Sequence, residues 1–145
     1  MKGQSYYFNY SGKIKEWPGI KLTINEKNTH KEIGSIFLVD VDVAYDYDAK
    51  IKNELSNIDD YNDYNFLKEN ETTFLHSLFI IEQYRKNGFG KIIKKKAEEI
   101  SILYGYNYSS SITNKDNLYS NRINEGLNYK ILENLKEYTF FYKKL

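Results

Sequence analysis

The chain has 145 residues, 41% hydrophobic and 17% aromatic, with a formal net charge of +1. That balance excludes a disordered polymer and a globally basic nucleic-acid binder, and the length suits one domain spanning 1–145. There is no cysteine, so disulfides, thiolate metal sites and a cysteine nucleophile are excluded; with His30 and His76 as the only histidines, no metal is expected.

Residues 1–18 are aromatic and polar and end at the sole proline, Pro18, which suits an edge strand or an ordered arm. Met1–Tyr6 lacks the apolar run of a secretory leader, and no stretch approaches the ~18 apolar residues of a membrane span. The expected location is the cytoplasm, with neither a membrane nor a nucleic-acid partner. Residues 20–26 alternate apolar and polar, as a half-buried strand does. Residues 27–30 read as a turn and 32–45 as a long strand, the two strands forming an antiparallel hairpin.

Residues 40–71 hold ten acids against three lysines, a local net charge of −7 that leaves +8 on the remainder. Within this segment Asp48 to Leu55 suits a short helix, and 46–71 reads as an acidic insertion or a substrate-side segment. Residues 73–81 form the most apolar run and read as a central strand buried on both sides. Gly88-Phe89-Gly90 breaks that pattern. A helix follows over about 90–104, with Ile92, Ile93, Ala97, Ile100 and Leu103 on one face and Lys94, Lys95, Lys96, Glu98 and Glu99 on the other. A strand over 106–113, a turn from Asn114 to Asn117, a helix over about 117–127 and a terminal strand over 137–145 complete the pattern. The order strand, strand, strand, helix, strand, helix, strand predicts an α/β (α+β) domain, a mixed sheet flanked by helices.

The most informative stretch is the buried strand followed by Arg85-x-x-Gly88-x-Gly90 and a helix. Glycines let the backbone turn sharply and approach a ligand. The first N–H groups of a helix lack intrahelical partners and carry the positive end of its dipole. A diphosphate suits that place. The third glycine of a dinucleotide fingerprint is replaced by Ile93, and Gly90-Lys91-Ile92 lacks the hydroxyl of a Walker A loop.

The stretch from Leu78 to Ile93 resembles the acetyl-CoA motif of the GNAT N-acetyltransferases, Gln/Arg-x-x-Gly-x-Gly/Ala after an apolar strand, with Glu82-Gln83-Tyr84 in the linker. The resemblance implies a mostly antiparallel GNAT-like sheet and acetyl-CoA as co-substrate. It implies that Arg85, Lys86, Asn87, Gly88, Phe89, Gly90 and Lys91 surround the pyrophosphate, and that the backbone of Phe79, Ile80 and Ile81 pairs with the pantetheine arm. A side chain at Gly88 or Gly90 is expected to block the anion with little loss of fold. A second match, Asn117-x-x-Ser120 followed after seven residues by Asn128-Tyr129, implies coenzyme contacts from Asn117 and from Ser120 or Arg122.

Two catalytic positions depart from the family's pattern. Asn124 stands where many members carry a tyrosine acid, and Phe74 where some carry a glutamate base. His76 shares a strand face with Phe74 and titrates in the right range, so it is the candidate base. Tyr119, on the same helix as Asn124, is the candidate acid. The expected activity is acetyl transfer by direct attack of a primary amine, whether a protein lysine, an N-terminus or a small cationic amine drawn by the acidic segment. The missing tyrosine and glutamate equally suit a non-catalytic binding or inhibitory module that keeps the coenzyme site. The acceptor is a small molecule or a protein, and a homodimer is left open.

Overall fold

The structure, a computed structural model, describes residues 5–47, 67, 69–134 and 137–145. Among them seven strands form one mixed sheet: β1 (Tyr6–Gly12), β2 (Ile20–Glu26), β3 (Glu32–Asp40), β4 (Thr72–Ile80), β5 (Tyr108–Asn114), β6 (Lys130–Asn134) and β7 (Tyr138–Lys144). The spatial order is β1-β2-β3-β4-β5-β7-β6. All neighbours pair antiparallel except β4 and β5, which run parallel. The helices are α1 (Val41–Tyr47), α2 (Phe89–Leu103) and α3 (Leu118–Gly126), and a 3-10 turn, Glu82–Tyr84, leads from β4 toward α2. Among the described residues no helix is long and apolar enough to cross a membrane.

The β2–β3 hairpin forms as its alternation predicts. Ile20, Leu22 and Ile24 of β2 point to one face, where they join Ile36 and Leu38 of β3 and Ile93, Ala97 and Ile100 of α2 in the main core. A second cluster on the other face packs Val41 and Ala44 of α1 against Val39, Phe74 and Phe140. Strand β1 forms the edge strand on β2, and residues 13–19 join the two without a helix.

Three expectations change. The strand expected over 32–45 stops at Asp40. Its side-chain Oδ1 accepts the backbone N–H of Asp42 at 2.9 Å, a turn that opens a helix and overrides the β-branched composition. Strand β6 lies between the predicted helix and the predicted terminal strand, where the pattern predicts no element; it is short, and its strand character comes from pairing with β7. The third concerns α2. Lys94 and Glu98, assigned to the solvent face, are buried, at 4% and 6% exposure, while Leu103, assigned to the apolar face, is 76% exposed at the end of the helix. Lys94 and Glu98 share a stripe with Gly90 and Ser101, which turns toward β5 and α3. The helix expected at Asp48 to Leu55 lies outside the described residues.

Phe74 carries the pairing of β4 with both β3 and β5 and packs on Phe140 with ring centroids 6.4 Å apart. Phe74→Ala should therefore cost about 3–5 kcal/mol of stability, read as a lower urea midpoint.

Candidate functional site

Strands β4 and β5 pair at Thr72 with Tyr108, Thr73 with Ser109 and Phe74 with Ser110, and at no position beyond. Yet β4 continues to Ile80 and β5 to Asn114. The two strands part and leave a cleft between them. A bulge helps to open it. Ser35 pairs with Phe79 and Phe37 with His76, so Ile36 faces both Ser77 and Leu78, and Ser77 takes a left-handed φ of 55°. The upper half of β4 is accordingly more open than the two-sided burial expected of it, and Phe79 is 52% exposed.

The cleft holds two cavities. An inner one of about 240 Å³ lies between Leu75–Leu78 of β4 and Ser111–Asn114 of β5, with Lys94 and Ile123 also lining it. An outer one of about 440 Å³ is lined by Leu78, Phe79, Ile80, Arg85, Lys86 and Tyr119. Leu78, Asn117 and Ser120 line both, so the cavities join.

The outer cavity is bounded by Arg85 and Lys86, in the loop that leads to α2. Gly88 is the N-cap, with φ 81°, and a Cβ there would meet nothing within 4 Å. Lys86 is also left-handed, with φ 67°. The Asn87 amide donates to the carbonyls of Tyr84 and Arg85 at 3.2 and 3.1 Å, which pins the loop. The first backbone bond of α2 runs from Ile92 N–H to Gly88 O at 3.2 Å, so the N–H groups of Phe89, Gly90 and Lys91 precede the intrahelical ladder. The side chains of Phe89 and Lys91 point elsewhere: Phe89 is buried in the main core, and Lys91 Nζ lies beside Gly126 at the end of α3.

Gly90 has a different duty from Gly88. A Cβ at Gly90 would overlap Tyr119 Oη and Ile123 Cδ1, so this glycine lets α3 close onto α2. The expectation that a side chain there would spare the fold is therefore corrected. Tyr119 sits at the loop. Burial raises its phenol pKa, while a hydrogen bond with the Gly90 backbone and the Arg85 charge oppose the rise. Tyr119 lines the outer cavity and His76 the inner one, so the structure does not bring the two catalytic candidates together.

The strand residues differ among themselves. Phe79 and Ile80 line the outer cavity. Ile81 spends both backbone groups internally, its N–H on Ile33 O and its C=O on Tyr84 N–H, each at 2.9 Å. Pairing of Ile81 with a ligand arm is thereby corrected. Arg85 Nε donates to Ile80 O at 2.8 Å and the guanidinium covers the Phe79 ring at 5.5 Å. Asn117 is the N-cap of α3: its Oδ1 accepts Ser120 N–H at 3.1 Å.

His76 stacks on Trp17 at 4.6 Å and on Phe37 at 5.3 Å. Its Nε2 lies 2.9 Å from Pro18 O, an acceptor only, so Nε2 carries a proton. In the neutral ring Nδ1 then accepts from Ser77 Oγ at 3.0 Å. Both ring nitrogens hold the chain, and a base role requires the Ser77 hydroxyl to give way.

The residue that sequence reasoning placed elsewhere is Lys94. Its Nζ donates to Ser111 Oγ at 3.1 Å and to Asn124 Oδ1, and stands 4.4 Å over the Tyr129 ring. Burial lowers its pKa to about 7, with the nearby Glu98 carboxylate opposing the fall. The helical spacing of Gly90, Lys94 and Glu98 was the available signal, but lysine at such a position reads as a solvent residue by default.

No family model matches the chain, and no curated protein matches it. Solved structures do. An IAA acetyltransferase from Bacillus cereus superposes with a TM-score of 0.64 at 11% identity, over 97% of this chain and 100% of that one. The PaiA N-acetyltransferase from Thermoplasma acidophilum, solved in complex with coenzyme A, gives 0.59 at 15% identity over 86% of this chain and 60% of that one. A GNAT-family acetyltransferase from Listeria monocytogenes gives 0.59 at 10% identity, over 86% and 64%. The chain thus spans less than two thirds of the length of the latter two. The fold is that of the GNAT N-acetyltransferases.

Two outcomes follow from the geometry. Helix propensity favours Gly90→Ala by about 1 kcal/mol, but overlap with Tyr119 and Ile123 costs ~1–3 kcal/mol. The variant should lower the urea midpoint, and adding Tyr119→Ala should restore part of the loss. His76→Ala removes the Pro18 anchor and the Trp17 stack, and should cost roughly 1–3 kcal/mol in thermal unfolding; an unchanged melting temperature with impaired turnover would instead mark His76 as the base.

Proposed function

We propose that the protein transfers an acetyl group from acetyl-CoA to a primary amine. The observation that carries this reading is the joined cleft. It runs from Arg85 and Lys86, which add positive charge in the loop before the left-handed Gly88 cap, to an inner chamber between the parted strands. The pyrophosphate would lie on the N–H groups opening α2, with the pantetheine along Phe79 and Ile80 and near Asn117 and Ser120. The thioester would then reach the inner cavity, where the neutral amine attacks its carbonyl carbon and the sulfur leaves. The −7 charge of residues 40–71 favours a cationic acceptor, which must lose a proton before it attacks.

A second reading is favoured by one observation. Asn124 is fully buried and its amide cannot act as an acid, while Phe74 occupies the other family position. A module that binds the coenzyme without turnover has those features.

Coenzyme binding is tested by thermal shift. Acetyl-CoA or CoA at 100 times its Kd should stabilise the fold by about 2.7 kcal/mol. Gly88→Glu places a carboxylate against the phosphates and should abolish the shift, with a modest loss of basal stability from its left-handed backbone. No shift at millimolar coenzyme would overturn the reading. Release of free thiol with any member of an amine panel decides for the enzyme; binding without release decides for the module.

A further inference from the structure

We propose that Lys94 and Ser111 form a proton relay that serves the leaving sulfur in the inner cavity, a proposal that rests on the acetyl-transfer reading. Among the described residues lining that cavity, only His76 and Lys94 titrate. His76 commits its Nε2–H to Pro18 O and its Nδ1 to the Ser77 hydroxyl. Lys94 directs an N–H at Ser111 Oγ, 3.1 Å away. Ser111 is itself a lining residue; its hydroxyl donates to Asn124 Oδ1 at 3.4 Å, a long bond that the O–H gives up when it turns to the cavity. The remaining partners of Nζ, the Asn124 oxygen and the Tyr129 ring, fix the ammonium in place.

A buried cation needs a reason, because desolvation disfavours it and an apolar side chain would fill the same space at less cost. The structure compensates Lys94 only in part. Glu98, one turn along α2, favours the charge, but it is already paired with Lys143 of β7 at 2.8 Å. Lys143 opposes the charge, and the Tyr129 phenol is held well above its usual pKa and stays neutral. From α3 comes only the neutral Asn124, and from β4 His76 lines the same cavity. The result is an ammonium that gives up its proton near neutrality, at about pH 7. That matches what a departing thiolate requires of an acid.

The step balances. The amine nitrogen's lone pair forms the C–N bond, and the C–S bond breaks with its pair going to sulfur. The Ser111 O–H proton passes to sulfur while a Lys94 N–H proton passes to Ser111 Oγ. The products are the amide and a free thiol. The neutral Lys94 amine regains a proton, equal to the one shed by the attacking nitrogen. Lys94 acts through Ser111 and is the positioning member of the pair; Ser111 touches the sulfur.

The experiment uses CoA for binding, and acetyl-CoA with an amine for kcat against pH. In the native protein kcat should fall tenfold per unit once Lys94 has lost its proton, above about pH 7. Ser111→Ala and Lys94→Met should keep CoA affinity within about threefold. Both should lose the descending limb and lose ~10²–10⁴-fold in kcat. Ser111→Ala removes one oxygen, so it provides the answer should Lys94→Met fail to fold. Variants with native kcat and a native descending limb would overturn the relay and leave the transfer reading intact. If CoA binds but no amine is acetylated, the transfer reading and the relay that rests on it both fall. Failure to bind CoA overturns both.

Discussion

Strands β4 and β5 hold each other through Phe74 and Ser110 and then separate, and the rest of the site depends on that separation. Parallel strands ordinarily continue to satisfy each other's backbone groups for as long as both run. Here each is drawn elsewhere. The bulge at Ser77 and the antiparallel pairing to β3 hold β4, while β5 is held by β7 along its whole length from Tyr108 to Asn114. Helix α3 rests over β5, with Thr113 Oγ1 donating to Asn121 Oδ1 at 2.5 Å, and Ile123 fills the space between the layers.

The glycines divide the labour of the opening. Gly88 supplies a left-handed cap that no neighbour crowds, beside the loop whose Arg85 and Lys86 line the outer cavity, and the first N–H groups of α2 precede the intrahelical ladder. Gly90 supplies closeness. With a Cβ at this position, Tyr119 Oη and Ile123 Cδ1 would each have to shift, and the wall that α3 makes for both cavities would shift with them. One two-glycine motif thus serves electrostatics at its first position and packing at its second.

Behind the cleft lies a polar cluster that a conventional core would exclude. Lys94, Ser111 and Asn124 are buried together, with Ser109 and the Tyr129 hydroxyl 2.7 Å apart beside them and the Glu98–Lys143 pair closing one side. Most of these groups satisfy one another, but Asn124 Nδ2 and Glu98 Oε2 are buried with no hydrogen-bond partner among the described residues, so the cluster is compensated only in part. The cluster ties α2, β5, β7 and α3 at the place where the sheet opens.

Much of this was legible in the residues. The alternation of Ile20–Glu26 defined a strand, the apolar run before Arg85 defined another, and the glycines at 88 and 90 with the helical stripe Ile93, Ala97, Ile100 marked a strand, an anion loop and a helix. Those are local properties, set by backbone freedom and by side-chain period, and they do not wait for partners. Only the tertiary structure decided where β4 and β5 part, why Asp40 ends a strand that β-branched residues would have prolonged, and that Gly90 is a packing glycine. Only it turned Lys94 inward. Polarity in a sequence reports the cost of burying a side chain, whereas burial is decided by what stands opposite, and Ser111 and Asn124 reach Lys94 from segments 17 and 30 residues away.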